Sequence, residues 1–202
     1  MNLPEIVVGC EYNTVLNGSV IRYNPYTQSK TSLSNINSSI SSVSFYNDYI
    51  VAGCTYENKI FFLSKYNLLH TLFWGSDVTQ IGVFKVVVTD SYIVAGCHDR
   101  KIRIWKLENA TLAHTIHSDD ELSCLALCTN TVVAGGVNSH MKAWVLSTGK
   151  PLKKCFLPSC VIHICCIAIK GNIVVTGGMD GTISVRPLRK ARCTSTLHGH
   201  VG

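Results

Sequence analysis

A glycine-headed hairpin recurs along this 202-residue chain at an interval that admits few folds. Residues 95–105 read AGCHDRKIRIW: a small pair, a polar turn, then apolar residues alternating with basic ones. Residues 52–63 (AGCTYENKIFFL), 134–144 (AGGVNSHMKAW) and 176–186 (TGGMDGTISVR) repeat it, and 8–23 (VGCEYNTVLNGSVIRY) repeats it with a longer turn. The first glycines, Gly9, Gly53, Gly96, Gly135 and Gly177, lie 44, 43, 39 and 42 residues apart. Alternation with a period of two is strand chemistry, because successive strand side chains point to opposite faces.

Each copy has the same surroundings. An apolar strand and a turn precede it, as in ISSVSFYNDYIV and LSCLALCTNTVV, and a fourth short strand follows, as in YNLLHTLF and ATLAHTIH. Four strands in about forty residues is the pattern of a propeller blade, a small sheet that hides its faces only by stacking on neighbours. No stretch keeps helical periodicity over three turns. The five prolines (Pro4, Pro25, Pro151, Pro158, Pro187) fall at turns and strand ends, where a missing N–H costs no ladder bond. The predicted fold is therefore all-β, a β-propeller of four-stranded antiparallel blades. First strands are expected to start near Ser41, Gln80, Leu122 and Ile162, with Ile102, Ile104, Ile183 and Val185 facing into the blade stack.

The pattern resembles the WD40-repeat family. Gly199-His200 matches its Gly-His element, Asp99 and Asp180 its tight-turn aspartate with Asn138 as a substitute, and Trp105 and Trp144 its tryptophan. The resemblance covers nearly the whole chain. It departs from the family at several points. The serine position carries Cys10, Cys54, Cys97, Gly136 and Gly178; Gly-His is replaced by Trp74-Gly75 and Ser118-Asp119; Trp-Asp is replaced by Trp105-Lys106 and Trp144-Val145. The family's His–Ser–Trp–Asp network is complete in no repeat. The blades divide as 1–33 (lacking a first strand), 34–74, 75–117, 118–158 and 159–198, with 199–202 opening the next. Against the seven blades usual in the family, this reads as an incomplete arc of about 4.75 blades.

Composition narrows the function. Hydrophobic residues make up 47% and charged ones 15%, yet no apolar run reaches membrane-spanning length; VIHICCIAI (161–169) is interrupted by His163. The N-terminus lacks the basic start of a signal peptide, so a cytoplasmic or nuclear location is expected. The ten cysteines then read as small buried residues rather than a disulfide framework, and no Cys-x-x-Cys suggests zinc. Asn17, Asn37 and Asn109 head chance glycosylation sequons. The net charge of +6 is diffuse; RPLRKAR (186–192) is its densest run and reads as a solvated turn, so nucleic acid is not the expected partner. The Ser-rich segment 29–42 reads as a flexible connection.

Catalytic constellations are not evident. Asp119, Asp120 and Glu121 are adjacent but lack a partner base, and there is no Gly-x-Ser-x-Gly or phosphate loop. The histidines share no ligand spacing; His198-x-His200 comes nearest, and His200 reads as a turn cap. No cofactor or metal is expected. The chain reads as a non-enzymatic scaffold or adaptor that docks proteins through its loops. Candidate partner-binding residues are Trp74, His98 and Arg100 at the centre, with Phe73, His117, Val137, His140 and Met179. Tyr56, Glu57, Asp77 and Asp119 share those loops. Basic and aromatic groups together suit an acidic or phosphorylated peptide. The resemblance implies roles such as ubiquitin-ligase substrate receptor; the alternative is an RNA- or ribosome-associated propeller.

Overall fold

The computed structural model describes residues 6–9, 20–23, 26–32, 38–64, 67–75, 81–152, 157–158, 161–190 and 193–198. Every regular element among them is a β-strand. Strands β1 (Ile6–Gly9), β2 (Val20–Tyr23) and β3 (Lys30–Ser32) form a three-stranded antiparallel sheet. Four four-stranded sheets follow in chain order. The first has β4 (Ile40–Tyr46), β5 (Tyr49–Cys54), β6 (Lys59–Ser64) and β7 (Asn67–Phe73). The second has β8 (Val83–Val88), β9 (Tyr92–Cys97), β10 (Lys101–Lys106) and β11 (Leu112–His117). The third has β12 (Leu122–Cys128), β13 (Thr131–Gly136), β14 (His140–Val145) and β15 (Leu157–Pro158). The fourth has β16 (Ile164–Lys170), β17 (Ile173–Gly178), β18 (Thr182–Pro187) and β19 (Ser195–His198). Each pairs its strands in sequence order, as short turns dictate.

The first strand of each four-stranded sheet carries the same irregularity. Its ladder slips between Ile40 and Ser42, Val83 and Lys85, Leu122 and Cys124, and Ile164 and Cys166. A bulge re-aims the extra residue. In two sheets that residue is a serine: Ser41 donates its hydroxyl to the Val83 carbonyl, and Ser123 donates to the Ile164 carbonyl at 2.6 Å. In the second sheet it is Phe84, whose ring lies where a Cβ on Gly96 would sit, 2.4 Å from it. That close approach explains the glycine at the head of this repeat. Ser42 and Ser44 accept the backbone N–H groups of Val86 and Val88, at 3.1 and 3.0 Å. The Ser-rich segment is thus not wholly a flexible connection: Ile40–Tyr46 is strand, because its hydroxyls bond the neighbouring first strand.

By contact the chain divides into two compact units, residues 1–97 with 105–113 and residues 98–104 with 114–202; the division runs through the second four-stranded sheet. In the first unit Val51, Ile60, Phe62, Val83, Val86, Ile93, Ala95 and Trp105 are core. In the second, Val133, Met141 and Ala143 pack with Ile164, Val174 and Leu188. Burial also pushes thiols out of the reactive range: Cys54 is raised to about 12 and Cys124 to about 11.

Ile102 and Ile104 are fully buried, as their alternation predicts. Ile183 and Val185 are only half-buried, contrary to the expectation that they face a covered stack. Register explains it. Arg186 pairs with Val174 and Ser184 with Thr176, and those four share the face that meets the third sheet's core, leaving Ile183 and Val185 on the other. Cys193 is disulfide-bonded, an exception to the reading of the cysteines as simple buried residues. No helix among the described residues is long and apolar enough to cross a membrane.

Candidate docking edge

In each four-stranded sheet the turn between the second and third strands closes one end of that sheet, its turn edge. In three sheets it is a three-residue loop whose last residue is left-handed: Arg100 (φ 61°), Ser139 (φ 58°) and Gly181 (φ 73°). A three-residue hairpin loop wants this conformation at that place. Glycine accepts it freely, whereas Arg100 and Ser139 hold it at a cost of about 1 kcal/mol.

The loops between sheets are lashed to these turns largely through main chain. Within a sheet, the incoming loop accepts from the turn: Thr55 N–H to Ser39 O, Val137 N–H to Glu121 O, and Met179 N–H to Ile162 O. The outgoing loop donates back to the same turns: Ser118 N–H to Arg100 O at 2.8 Å, and His163 N–H to the Ser139 hydroxyl at 2.9 Å. Asn58 holds two groups, accepting Trp74 N–H on its backbone oxygen and Ile81 N–H on its side-chain oxygen.

Polar side chains complete the edge where the family's histidine network is missing. Arg103 is 6% exposed and makes a two-pronged bond to Asp99, with N···O distances of 3.0 and 2.6 Å. Burial pushes the Asp99 carboxyl up, but the hydrogen bonds and charge of Arg103, with Lys101 at 3.7 Å, outweigh it and hold the group below the usual carboxylate range. Lys142, also 6% exposed, reaches Asp120 at 2.8 Å and Asp119 at 3.3 Å. Its hydrogen bond, with that of Asn138, lowers Asp120. Asp180 accepts N–H groups from Thr182 at 3.1 Å and Ile162 at 3.3 Å.

The predicted site residues separate into two groups. His98, Arg100, His117, Val137, His140 and Met179 are exposed within the second unit, on the turns and loops of this edge. Phe73, in the first unit, is 68% exposed. Trp74 is different: it is 7% exposed and packs against Trp105, ring centroids 5.8 Å apart. Its bulk fills the core where the family's small glycine would leave room, so it is a packing residue and not an exposed anchor. Trp105 and Trp144 are buried, Asn138 donates to Asp120, and His200 lies outside the described residues. Sequence reading missed Arg103 and Lys142. Each falls seven residues after its repeat glycine, and that shared offset was the available signal. Among the described residues no group of three His, Cys, Asp or Glu side chains is placed to hold a metal.

Bulged four-stranded sheets, paired in chain order and fastened turn to loop, give this chain a β-propeller fold like that of solved WD40 domains. The WD40 β-propeller domain of Doa1 superposes with a TM-score of 0.76 over 97% of this chain and 66% of that one, at 15% identity. The RRP9 WD40 repeats give 0.75 over 90% and 59%, at 16% identity. No family model matches the sequence. Among curated proteins it is similar to autophagy-related protein 16 of Arabidopsis thaliana, 26% identical over 152 residues, and to protein tipD of Dictyostelium discoideum, 24% identical over 176. These stretches cover 73% and 80% of this chain but only 30% and 27% of the relatives, so the chain spans less than a third of their length.

Proposed function

We propose that this chain is a non-enzymatic docking module that holds partner proteins on the turn edge. The observation that carries the reading is a rigid frame with an uncommitted surface. Backbone lashings fix the turns, while Val137 (43% exposed) and Met179 (74% exposed) present apolar contact area and Arg100 presents charge. In this reading a partner segment sets an acidic or phosphorylated group between Arg100 and His117, and apolar side chains against Val137 and Met179. The likeness to autophagy-related protein 16 supports placing the docked assembly in an autophagy-related process; a ubiquitin-ligase receptor is the other adaptor role consistent with the fold. An RNA-associated role rests on the net charge of +6 alone, and Arg103 and Lys142 on this edge are already paired with carboxylates. RNA binding would show a steep loss of affinity with salt.

Arg100→Gly is the discriminating variant. It relieves the left-handed backbone, so the melting temperature is expected to hold or rise, while binding to a phosphoserine peptide library falls by about tenfold, as loss of a hot-spot arginine does. Unchanged binding in Arg100→Gly and in Met179→Ser would move the docking surface off this edge.

A further inference from the structure

At the opposite ends of the same strands lies a cleft of about 450 Å³ in the first unit, lined by Tyr49, Asp90, Ser91, Tyr92, Lys106, Leu107 and Glu108. Its walls come from two first-to-second-strand turns and the end of β10. They are held firmly. The Thr89 hydroxyl accepts the N–H groups of Ser91 and Tyr92, and Leu107 N–H donates to Ser91 O at 2.9 Å. Tyr49 is braced from behind by Phe62, ring centroids 5.3 Å apart. Leu107 is buried at the base, and both tyrosines are half-buried.

The charges of the lining do not cancel. Lys106 sits 3.8 Å from Glu108, a loose exposed pair. Asp90 accepts only a neutral hydroxyl, from Ser91 at 2.9 Å, among the bonds the structure shows for it. One carboxylate therefore remains uncompensated beside two aromatic walls, on a chain whose net charge is +6. A cation beside a tyrosine face and a carboxylate gains from both, whereas an anion would meet Asp90 and Glu108 with Lys106 already engaged.

We infer that this cleft is a second binding site, taking the basic side chain of a lysine or arginine from an extended segment of a partner protein. The arginine or lysine head lies between Tyr49 and Tyr92 and bonds the Asp90 carboxylate, with Glu108 as a second acceptor once Lys106 swings clear. The volume exceeds one such side chain and leaves room for the flanking backbone. The site is separate from the turn edge, since Asp90 lies in the turn before β9 and Asp99 in the turn after it, and it stands whether or not that edge docks a partner.

The test uses four nonapeptides that differ only at the central residue: arginine, lysine, citrulline and glutamate. Citrulline keeps the shape of arginine without its charge. Binding to the full chain is followed by fluorescence anisotropy. The arginine and lysine peptides are expected to bind, with citrulline about tenfold weaker and glutamate undetectable. Asp90→Asn, an exposed substitution, is expected to weaken the arginine peptide by about tenfold with no change in melting, and Arg100→Gly to leave it unaltered. Tyr92→Phe, which keeps the ring, should bind as the parent does. Equal binding of citrulline and arginine, preference for the glutamate peptide, indifference to Asp90→Asn, or no binding by any peptide at millimolar concentration would each overturn the assignment.

Discussion

Arg103 and Lys142 occupy the same place in successive repeats and are equally buried, yet each is neutralised from a different direction. Arg103 takes its carboxylate from its own turn, four residues back, in a planar two-pronged bond. Lys142 takes two carboxylates from the loop entering its sheet, and the turn residue there is Asn138, which binds Asp120 instead. Seven residues after the repeat glycine the first and fourth four-stranded sheets carry Ile60 and Ser184, both buried, so the fold does not demand a cation; where one stands it is neutralised, and the segment that supplies the charge varies. The guanidinium fork suits a single fixed carboxylate, whereas the compact ammonium can be shared. One network is local and stiff; the other ties a loop to a sheet.

The largest expected effect comes from the stiff one. Asp99→Ala leaves Arg103 buried without its partner, and should cost about 3 kcal/mol in urea unfolding. Adding Arg103→Met should restore most of that. A cost below about 1 kcal/mol for the single variant would erase the contrast.

The shared network should yield less to any one change. Asp120→Ala is expected to cost about 1 kcal/mol, because Asp119 still reaches Lys142. Asp119 is 92% exposed, so Asp119→Ala should fall within about 0.5 kcal/mol. Removing both should cost more than the two singles together, the signature of groups acting on one ion.

Acid should loosen both. Asp99 and Asp120 are held below their ordinary range in the folded state, so each contributes stability above the unfolded value of about 4 and loses it as pH falls through the folded value. Urea midpoints should drop steeply below about pH 4, and less steeply in Asp99→Asn. An unaltered slope in that variant would show that Arg103 does not bias the carboxyl.

The finest distinction is local opening. Cys97 immediately precedes the Asp99 turn, and Cys124 follows the Asp119–Asp120 loop; both thiols are buried. With iodoacetamide at pH 8, Cys165 and Cys166, which are exposed, should label first. Asp99→Asn should speed Cys97 selectively, and Asp120→Asn should speed Cys124. Equal acceleration of both thiols by either variant would mean that the two networks open together.

Much of the fold was readable because the repeat glycines mark fixed strand positions. Expected first-strand starts at Ser41, Leu122 and Ile162 meet observed starts at Ile40, Leu122 and Ile164; the fourth, Gln80, lies outside the described residues, and β8 starts at Val83. The edge was readable less evenly. Asp99, Asn138 and Asp180 were found by their turn positions, but Arg103 and Lys142 look like solvated residues of an alternating strand; only their shared offset from the repeat glycine, a position that carries Ile60 in the first four-stranded sheet, points to burial. Trp74 misled for the converse reason: a tryptophan in a loop position suggests display, and only three-dimensional proximity shows that Trp105 receives it. The burial phase of β18 needed the register pairing of Val174 with Arg186.

The turn-to-loop lashings consist mostly of one peptide group gripping another, and a peptide group is common to every amino acid. Such joints carry no information about residue identity. Gly136 is held back, because a Cβ there would meet Glu121 O, the acceptor of the Val137 joint, but mutational drift can rewrite the motif letters at Cys54 or Cys97 without changing the groups that Thr55, Val137 and Met179 use in these joints. That accounts for a chain whose architecture is plain by superposition at 15% identity while its sequence matches no family model.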